Sequence, residues 1–473
     1  MSNVNVLSKR YATKEMNEIF SEKGRILSER ELWITVLKAQ QALGVDIPEK
    51  AIQAYEEAKD RIDLNLIHEI EERTRHDVKA RIEAFNLETG GFQLIHRGLT
   101  SRDLTDNVEQ IQMLHAARMI FNKYIAILDK FSAKAKQYDN IITTARTHRQ
   151  AAQPTVLGRR FAMWAEELYS SLIEFETFID SYPLRGMKGP VGTQVDLLHL
   201  LGTPAQVAKF DKGISQALGF DRVLVAPGQI YPRSLDYKLA SHLAFLSSAC
   251  ENFAKNMRLM SGHELVTEGF QEGQVGSSAM PHKMNTRSTE RISGFATLLK
   301  MYADGASRLS GDQWEEGDVS CSVVRRVIIP NMFYVSDGLC ETMLTVLKEM
   351  GVYHNTIQAE VDRYLPFMAS TELLTQAIAR GLGREQAHSI IRKYATAEAL
   401  KLRKEATSKN TLAEQLGADP EFPLSTVEII DILANREQFI GNAKRQIERV
   451  TKQIEPLLQK YNEARLYDPQ PIL

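Results

Sequence analysis

Apolar residues recur at helical spacing over unusually long stretches, and this constrains the chain more than any other feature. Leu157, Phe161, Trp164, Leu168, Leu172, Phe175 and Ile179 mark one face for about six turns. Further stripes run through Ile111, Leu114, Phe121, Ile125 and Leu128, and through Leu235, Leu239, His242, Leu246, Phe253, Met257 and Met260. Two more extend from Ile292 to Leu309 and from Val323 to Met350. Helices this long bury their stripes by lying side by side, so the pattern predicts an all-α chain built on a long central helical bundle. One thin bundle leaves part of the stripes uncovered, which predicts that bundles of several subunits pack together.

At 473 residues the chain exceeds one compact core. Short helical patterns broken by Gly and Pro predict an N-terminal helical domain over 1–105. The long-helix bundle is expected over 106–364, and renewed Gly and Pro punctuation predicts a small helical domain over 365–473. Within that last part, the charge-rich run from Arg436 to Lys460 alternates acids and bases, as a solvated amphipathic helix does. The tail from Tyr467, with its prolines, is expected to be irregular.

A formal net charge of -2 gives no general attraction to nucleic acid or to a membrane surface. The start, MSNVNVLSKRY, lacks a signal-peptide core, and no apolar run reaches membrane-spanning length. The expected location is therefore cytoplasmic, with no membrane and no nucleic-acid partner. Cys250, Cys321 and Cys340 lie in apolar helical patterns without CxxC spacing, so small buried side chains are expected rather than disulfides or a metal site. There is no Walker A, HExxH or GxGxxG pattern, and neither a metal nor an organic cofactor is expected.

The densest chemistry lies in Gly276 to Arg287, GSSAMPHKMNTR. Gly269, Gly273 and Gly276 free the backbone on its upstream side, the composition of a closing loop. An amphipathic helix resumes at Ile292 with Asn285 or Thr286 available as N-cap, so the loop leads into an anion-friendly helix start. Composition alone would equally suit a solvated loop. Two more polar clusters stand at Arg73 to Asp77 and at His96 to Ser101, and a third at TARTHRQAAQPT, Thr144 to Thr155. In that third cluster the residues alone suggest only that His148 sits at a helix start.

Together these segments resemble the fumarase and aspartase superfamily, whose signature runs GSSxMPxKxN. Gly276, Ser277, Ser278, Met280, Pro281, Lys283 and Asn285 match it, while Met284 and Thr286 depart from common family choices. The first domain of the succinyl-purine branch carries RHDV and HxGLTSxD segments, matched around His76 and His96, and a TxTHxQxAxPT segment is matched around His148, with Arg149 as a departure. The resemblance implies a fumarase/aspartase-like fold of three domains, a homotetramer and active sites shared between chains. It also implies β-elimination of fumarate from a succinyl-purine nucleotide, a small-molecule substrate. Within the superfamily a carboxymuconate cycloisomerase is the nearest rival, and a catalytically idle scaffold protein is the rival from another class.

The resemblance assigns His148 as the acid and Ser277 as the base. It assigns substrate contacts to Arg10, Tyr11, His76, Asp77, His96, Thr100, Ser101, Gln229, Ser278, Lys283, Asn285, Glu290, Ser322 and Arg326. The chemistry asks for such groups: taking a proton from the carbon beside a carboxylate places further negative charge on that carboxylate, which needs donors aimed at it. A serine acts as base only as an alkoxide in a closed, dry site, and the departing nitrogen takes a proton that an imidazolium can supply, with His76 or Glu290 helping to orient the ring. Arg73, Arg287 and Arg291 add cations for a substrate with two carboxylates and a phosphate. The family places an arginine, a serine and another arginine after its tryptophan. Here Ser322 and Arg326 follow Trp314, but Gly317 stands where the first arginine is expected, so one phosphate contact that the resemblance implies is missing or supplied from elsewhere.

Overall fold

A computed structural model describes residues 5–269, 280, 282–405 and 409–471. The first helix of note, α1 (Glu22–Ala42), buries Leu32, Trp33, Val36 and Leu37 against the body of the chain. A shorter helix, α2 (Asp77–Glu88), follows. The bundle is made by α3 (Ser101–Gln137), α4 (Leu157–Ser181), α5 (Ser234–Gly262), α6 (Arg287–Ser307) and α7 (Cys321–Glu349). Their predicted stripes meet in one core that includes Phe131, Phe161, Trp164, Phe253 and Leu299. Phe131, Phe161, Trp164 and Phe253 pack ring against ring, with Trp164 and Phe253 edge to face at 5.2 Å.

Helix α3 begins at Ser101, earlier than the boundary at 106, because Thr100 and Asp103 form a capping box in which Thr100 N donates to Asp103 Oδ2 at 2.8 Å. Thirty-seven residues make it about 55 Å long. A tight hairpin joins α3 to α4: β1 (Ile142–Thr147) pairs antiparallel with β2 (Gln150–Val156). His148 therefore stands at a hairpin tip and not at a helix start, since β-branched Ile142, Thr143, Thr144, Thr147, Thr155 and Val156 favour the two strands and Leu157 only then begins the helix. A second small pair joins Val266–Thr267 to Gly351–Val352.

Residues expected to form one C-terminal domain divide between two cores. After α8 (His354–Met368), Leu373, Ile390, Leu412, Leu416, Phe422 and Ile429 build a small core of their own. The last long helix, α9 (Ala443–Lys460), returns to the bundle and buries Ile447, Val450, Ile454, Leu457 and Leu458 in its core. Its charges form the outer face. Cys250, Cys321 and Cys340 are buried free thiols, as expected. No helix among the described residues is long and apolar enough to cross a membrane.

Midway along the bundle sits a buried charge cluster. Lys123 pairs with both Asp337 and Glu341. Burial alone would lower its pKa, but the two carboxylates raise it above the usual lysine range. Thr13 donates to Asp337 Oδ2 through N at 2.7 Å and through Oγ1 at 2.8 Å. The tail closes the other side, Tyr467 OH donating to Glu341 Oε1 at 2.7 Å and Gln470 N to Oε2 at 2.6 Å.

Candidate active site

The histidines of the first domain are positioned by unusual backbone. Arg75 adopts φ 53° and so ends one helix and turns His76 into the N-cap of α2, where its Nδ1 accepts from Lys79 N at 3.2 Å. Asp77 meets Arg81 at 3.2 Å, and Arg81 Nε reaches the buried Glu29 at 2.7 Å. Burial would raise the Asp77 pKa, but Arg81 and the Val78 N–H together outweigh it and hold the carboxyl low. His96 has φ 65°, and Trp33 Nε1 donates to its Nδ1 at 3.2 Å. Burial pushes the His96 imidazole down to about 4. Thr100 and Ser101 follow at the start of α3, whose third residue, Asp103, is fully buried and paired with the equally buried Arg185.

Beside them lies a polar network at the same end of the bundle. Gln229 N donates to Glu316 O at 2.7 Å, which joins the Gln229 loop to the one carrying Trp314. Tyr231 OH donates to Asp236 Oδ1 at 2.7 Å, and Arg325 Nε bonds Asp236 Oδ2 at 2.7 Å. Tyr231 is thus a buried member of this network. Asp106 accepts from Arg233 at 3.1 Å and from Arg102 Nη1 at 3.1 Å. Burial would raise its pKa, but Arg233, Arg325 and Arg102 together lower it. Arg102 Nη2 donates to Ser322 Oγ at 2.9 Å. Arg326, exposed on the next turn of α7, borders a cleft with Arg25, Glu109 and Arg325.

Ser277, Ser278 and most of the expected closing loop lie outside the described residues. The returning chain is held at its base. Glu268 Oε1 accepts from Ser288 N at 2.8 Å and Oε2 accepts from Thr289 N at 2.9 Å. Thr286 is the N-cap of α6, as expected, but its side chain makes no capping bond, and Glu268 from the far side of the loop receives the free N–H groups instead. Lys283 and Glu290 are exposed here, and Asn285 is half-buried. Tyr11 packs edge-on against Phe295 at 5.1 Å, with the Arg291 guanidinium 5.6 Å from its ring and that of Arg10 at 5.9 Å.

His148 has φ 49° and Arg149 φ 64°, the pair of positive values that a two-residue hairpin turn requires. Glycine or asparagine would meet that need without strain, so a histidine here keeps a costly backbone in favour of its side chain. Both residues are exposed. Arg146 in β1 grips Glu360 of α8 at 2.6 and 3.1 Å. Arg149 and Arg146 border a cavity of about 640 Å³ with His263, Arg363 and Arg403.

One chain does not gather these residues into a single site. His76, His96, Ser101, Gln229 and Ser322 collect where α3 begins, while His148 lies beyond the other end of that helix of about 55 Å. Helix α5 gives a second measure: its 29 residues, about 43 Å, lead from Asp236 in the Arg325 network to His263 beside Arg149. Tyr11 touches α7 at Gly338, sixteen residues or about 24 Å from Ser322. Three groups of candidate residues thus stand at three heights along the bundle. His76 and Glu290 do not touch His148 within the chain. Sequence reasoning missed Trp33, Arg102 and Glu268. Arg102 directly follows Ser101 and stands four residues before Asp106, which is a readable signal; Glu268 gave none.

Residues 9–298 match the lyase family model, and 366–450 match the model described as adenylosuccinate lyase C-terminus. The adenylosuccinate lyase of Schistosoma mansoni is 30% identical over 97% of this chain and 96% of its own length. That of Saccharomyces cerevisiae is 31% identical over 96% and 95%, and that of Schizosaccharomyces pombe 32% over 93% and 92%. Among solved structures, the 3-carboxy-cis,cis-muconate lactonizing enzyme of Pseudomonas putida superposes with a TM-score of 0.82 at 19% identity, covering 97% of this chain and all of that one. A fumarate lyase from a Mesorhizobium species gives 0.78 at 20%, over 94% and 99%. At those identities the two structures share the fold, whereas these three full-length sequence matches are to one kind of enzyme. The chain belongs to the adenylosuccinate lyase family of the fumarase and aspartase superfamily.

Proposed function

We propose that this protein cleaves adenylosuccinate to AMP and fumarate, and succinyl-aminoimidazole carboxamide ribotide to aminoimidazole carboxamide ribotide and fumarate, as a cytoplasmic homotetramer. The observation that carries the reading is the match to adenylosuccinate lyases over nearly the whole chain, including a C-terminal model of that name. Ser277, as alkoxide, takes the proton from the carbon beside the succinyl carboxylate. The electron pair forms the fumarate double bond as the carbon–nitrogen bond breaks, and His148 supplies the proton to the leaving nitrogen. Lys283, Asn285 and the start of α6 stabilise the charge that builds on the carboxylate. His76, Asp77, His96, Thr100, Ser101, Gln229, Ser278, Glu290, Ser322, Arg326, Arg10 and Tyr11 hold the substrate.

The separation of the three groups along α3, α5 and α7 supports sites completed by neighbouring chains. The bundle also leaves Phe245, Met301, Val323 and Val327 each more than half exposed, apolar surface suited to burial between subunits. The test is the near-ultraviolet absorbance fall on mixing the protein with adenylosuccinate, with argininosuccinate and carboxymuconate as controls. Turnover of carboxymuconate alone would replace this reading with the cycloisomerase, and turnover of none would favour an idle scaffold.

A further inference from the structure

We propose that Arg102 supplies the cationic contact to the 5′-phosphate of the substrate that an arginine at position 317 would otherwise make. The proposal rests on the reaction given above. Gly317 has φ 141°, a conformation that side chains rarely adopt, and a Cβ built on it would lie 3.0 Å from Ile230 Cγ1. An arginine is therefore strained at this position. The neighbouring loop residues Glu315, Glu316 and Asp318 are acidic, so the missing charge comes from another element.

Arg102 is that element's contribution. Its side chain is only 13% exposed and is preset by its bond to Asp106, a buried carboxylate shared with Arg233. One edge of the guanidinium fork is thereby fixed, and Nη2 is aimed at Ser322 Oγ. That acceptor is a neutral hydroxyl, which can turn to donate to a phosphate oxygen while Nη2 bonds the same group. Ser322 and Arg326 stand one turn apart on a single face of α7, so a phosphate held between Arg102 and Ser322 would have a second cation one helical turn along.

The experiment compares adenylosuccinate with its dephosphorylated form, succinyladenosine, on the native protein, Arg102→Leu and Arg102→Lys. Loss of a charged hydrogen bond should raise KM for the nucleotide by roughly 10- to 100-fold. The ratio of kcat/KM for nucleotide over nucleoside should collapse by a similar factor in Arg102→Leu and recover in part in Arg102→Lys. Should Arg102→Leu fail to fold, Arg102→Gln keeps a donor toward Asp106, and calorimetric binding of AMP against adenosine reads the same ratio. An unchanged ratio, whether both substrates suffer equally or neither suffers, would make Arg102 a structural tie and overturn the proposal. A native protein that cleaves neither substrate overturns the reaction itself, and the native control alone reveals that case.

Discussion

The indole Nε1 of Trp33 donates to Nδ1 of His96 at 3.2 Å, and this bond decides which ring nitrogen of His96 holds the proton. With Nδ1 accepting, the neutral ring carries its hydrogen on Nε2, an uncharged donor for the proposed substrate contact. Burial pushes the pKa down to about 4, so the ring is neutral near pH 7.

The sign of the linked stability effect follows. Between about 4 and the unfolded value near 6.5, the unfolded chain binds a proton that the folded chain refuses, so stability rises with pH across that window and is complete above it. We predict that His96 accounts for up to roughly 3 kcal/mol of stability lost as pH falls from 6.5 to 4. Melts of the native protein and His96→Gln across this range test it, and nitrogen NMR should show one Nε2–H tautomer. A native His96 that titrates near 6.5 would falsify the assignment.

Asp103 makes a stability prediction of a different kind. It is fully buried, pairs with Arg185, and accepts from Lys188 N, Gly189 N and Thr100 N. Asp103→Ala leaves the Arg185 charge buried without its partner and should destabilise the fold by about 3–5 kcal/mol. Denaturant midpoints measure this. A loss below about 1 kcal/mol would mean that water or another acceptor replaces the carboxylate.

Glu268 holds the two ends of the loop that contains Ser277. Glu268→Ala removes the cap on Ser288 N and Thr289 N, which should cost about 1–2 kcal/mol. It should also lower kcat at least tenfold, because the start of α6, proposed to stabilise the developing charge, loses its cap. Amide exchange at Ser288 and Thr289 should accelerate in the variant. Native kcat with accelerated exchange would separate this cap from catalysis.

Ser277→Ala and His148→Ala should each lower turnover by orders of magnitude, since each removes a proposed proton-transfer partner, and the exposed position of His148 should leave the melt of its variant unchanged. If the two residues of one site come from different chains, mixing the dead variants after mild denaturation restores activity in up to about a quarter of the sites. Confirmed subunit exchange without recovered activity would assign both residues to one chain.

The bundle was legible because stripes such as Leu157 to Ile179 need only periodicity, and periodicity is local. His148 was harder: its neighbours suggested a helix start, and only the pairing of β1 with β2 across the turn makes it a hairpin tip. Glu268 capping α6 joins residues 20 and 21 positions apart, and Trp33 joins His96 across 63, so neither bond leaves a mark in nearby sequence. The return of α9 to the bundle was hidden for another reason. Its charges dominate its composition, while the stripe from Ile447 to Leu458 that seats it is narrow.

The cluster of Lys123, Asp337 and Glu341 imposes an order on synthesis. Thr13 leaves the ribosome long before Asp337 exists to receive it, and Tyr467 and Gln470 emerge well after Glu341. Until both arrive, a nascent chain holds these charges in water, where they favour an open bundle over a closed one. The middle of the bundle therefore waits on segments made more than three hundred residues apart, and sealing it is a step that follows translation of nearly everything described here.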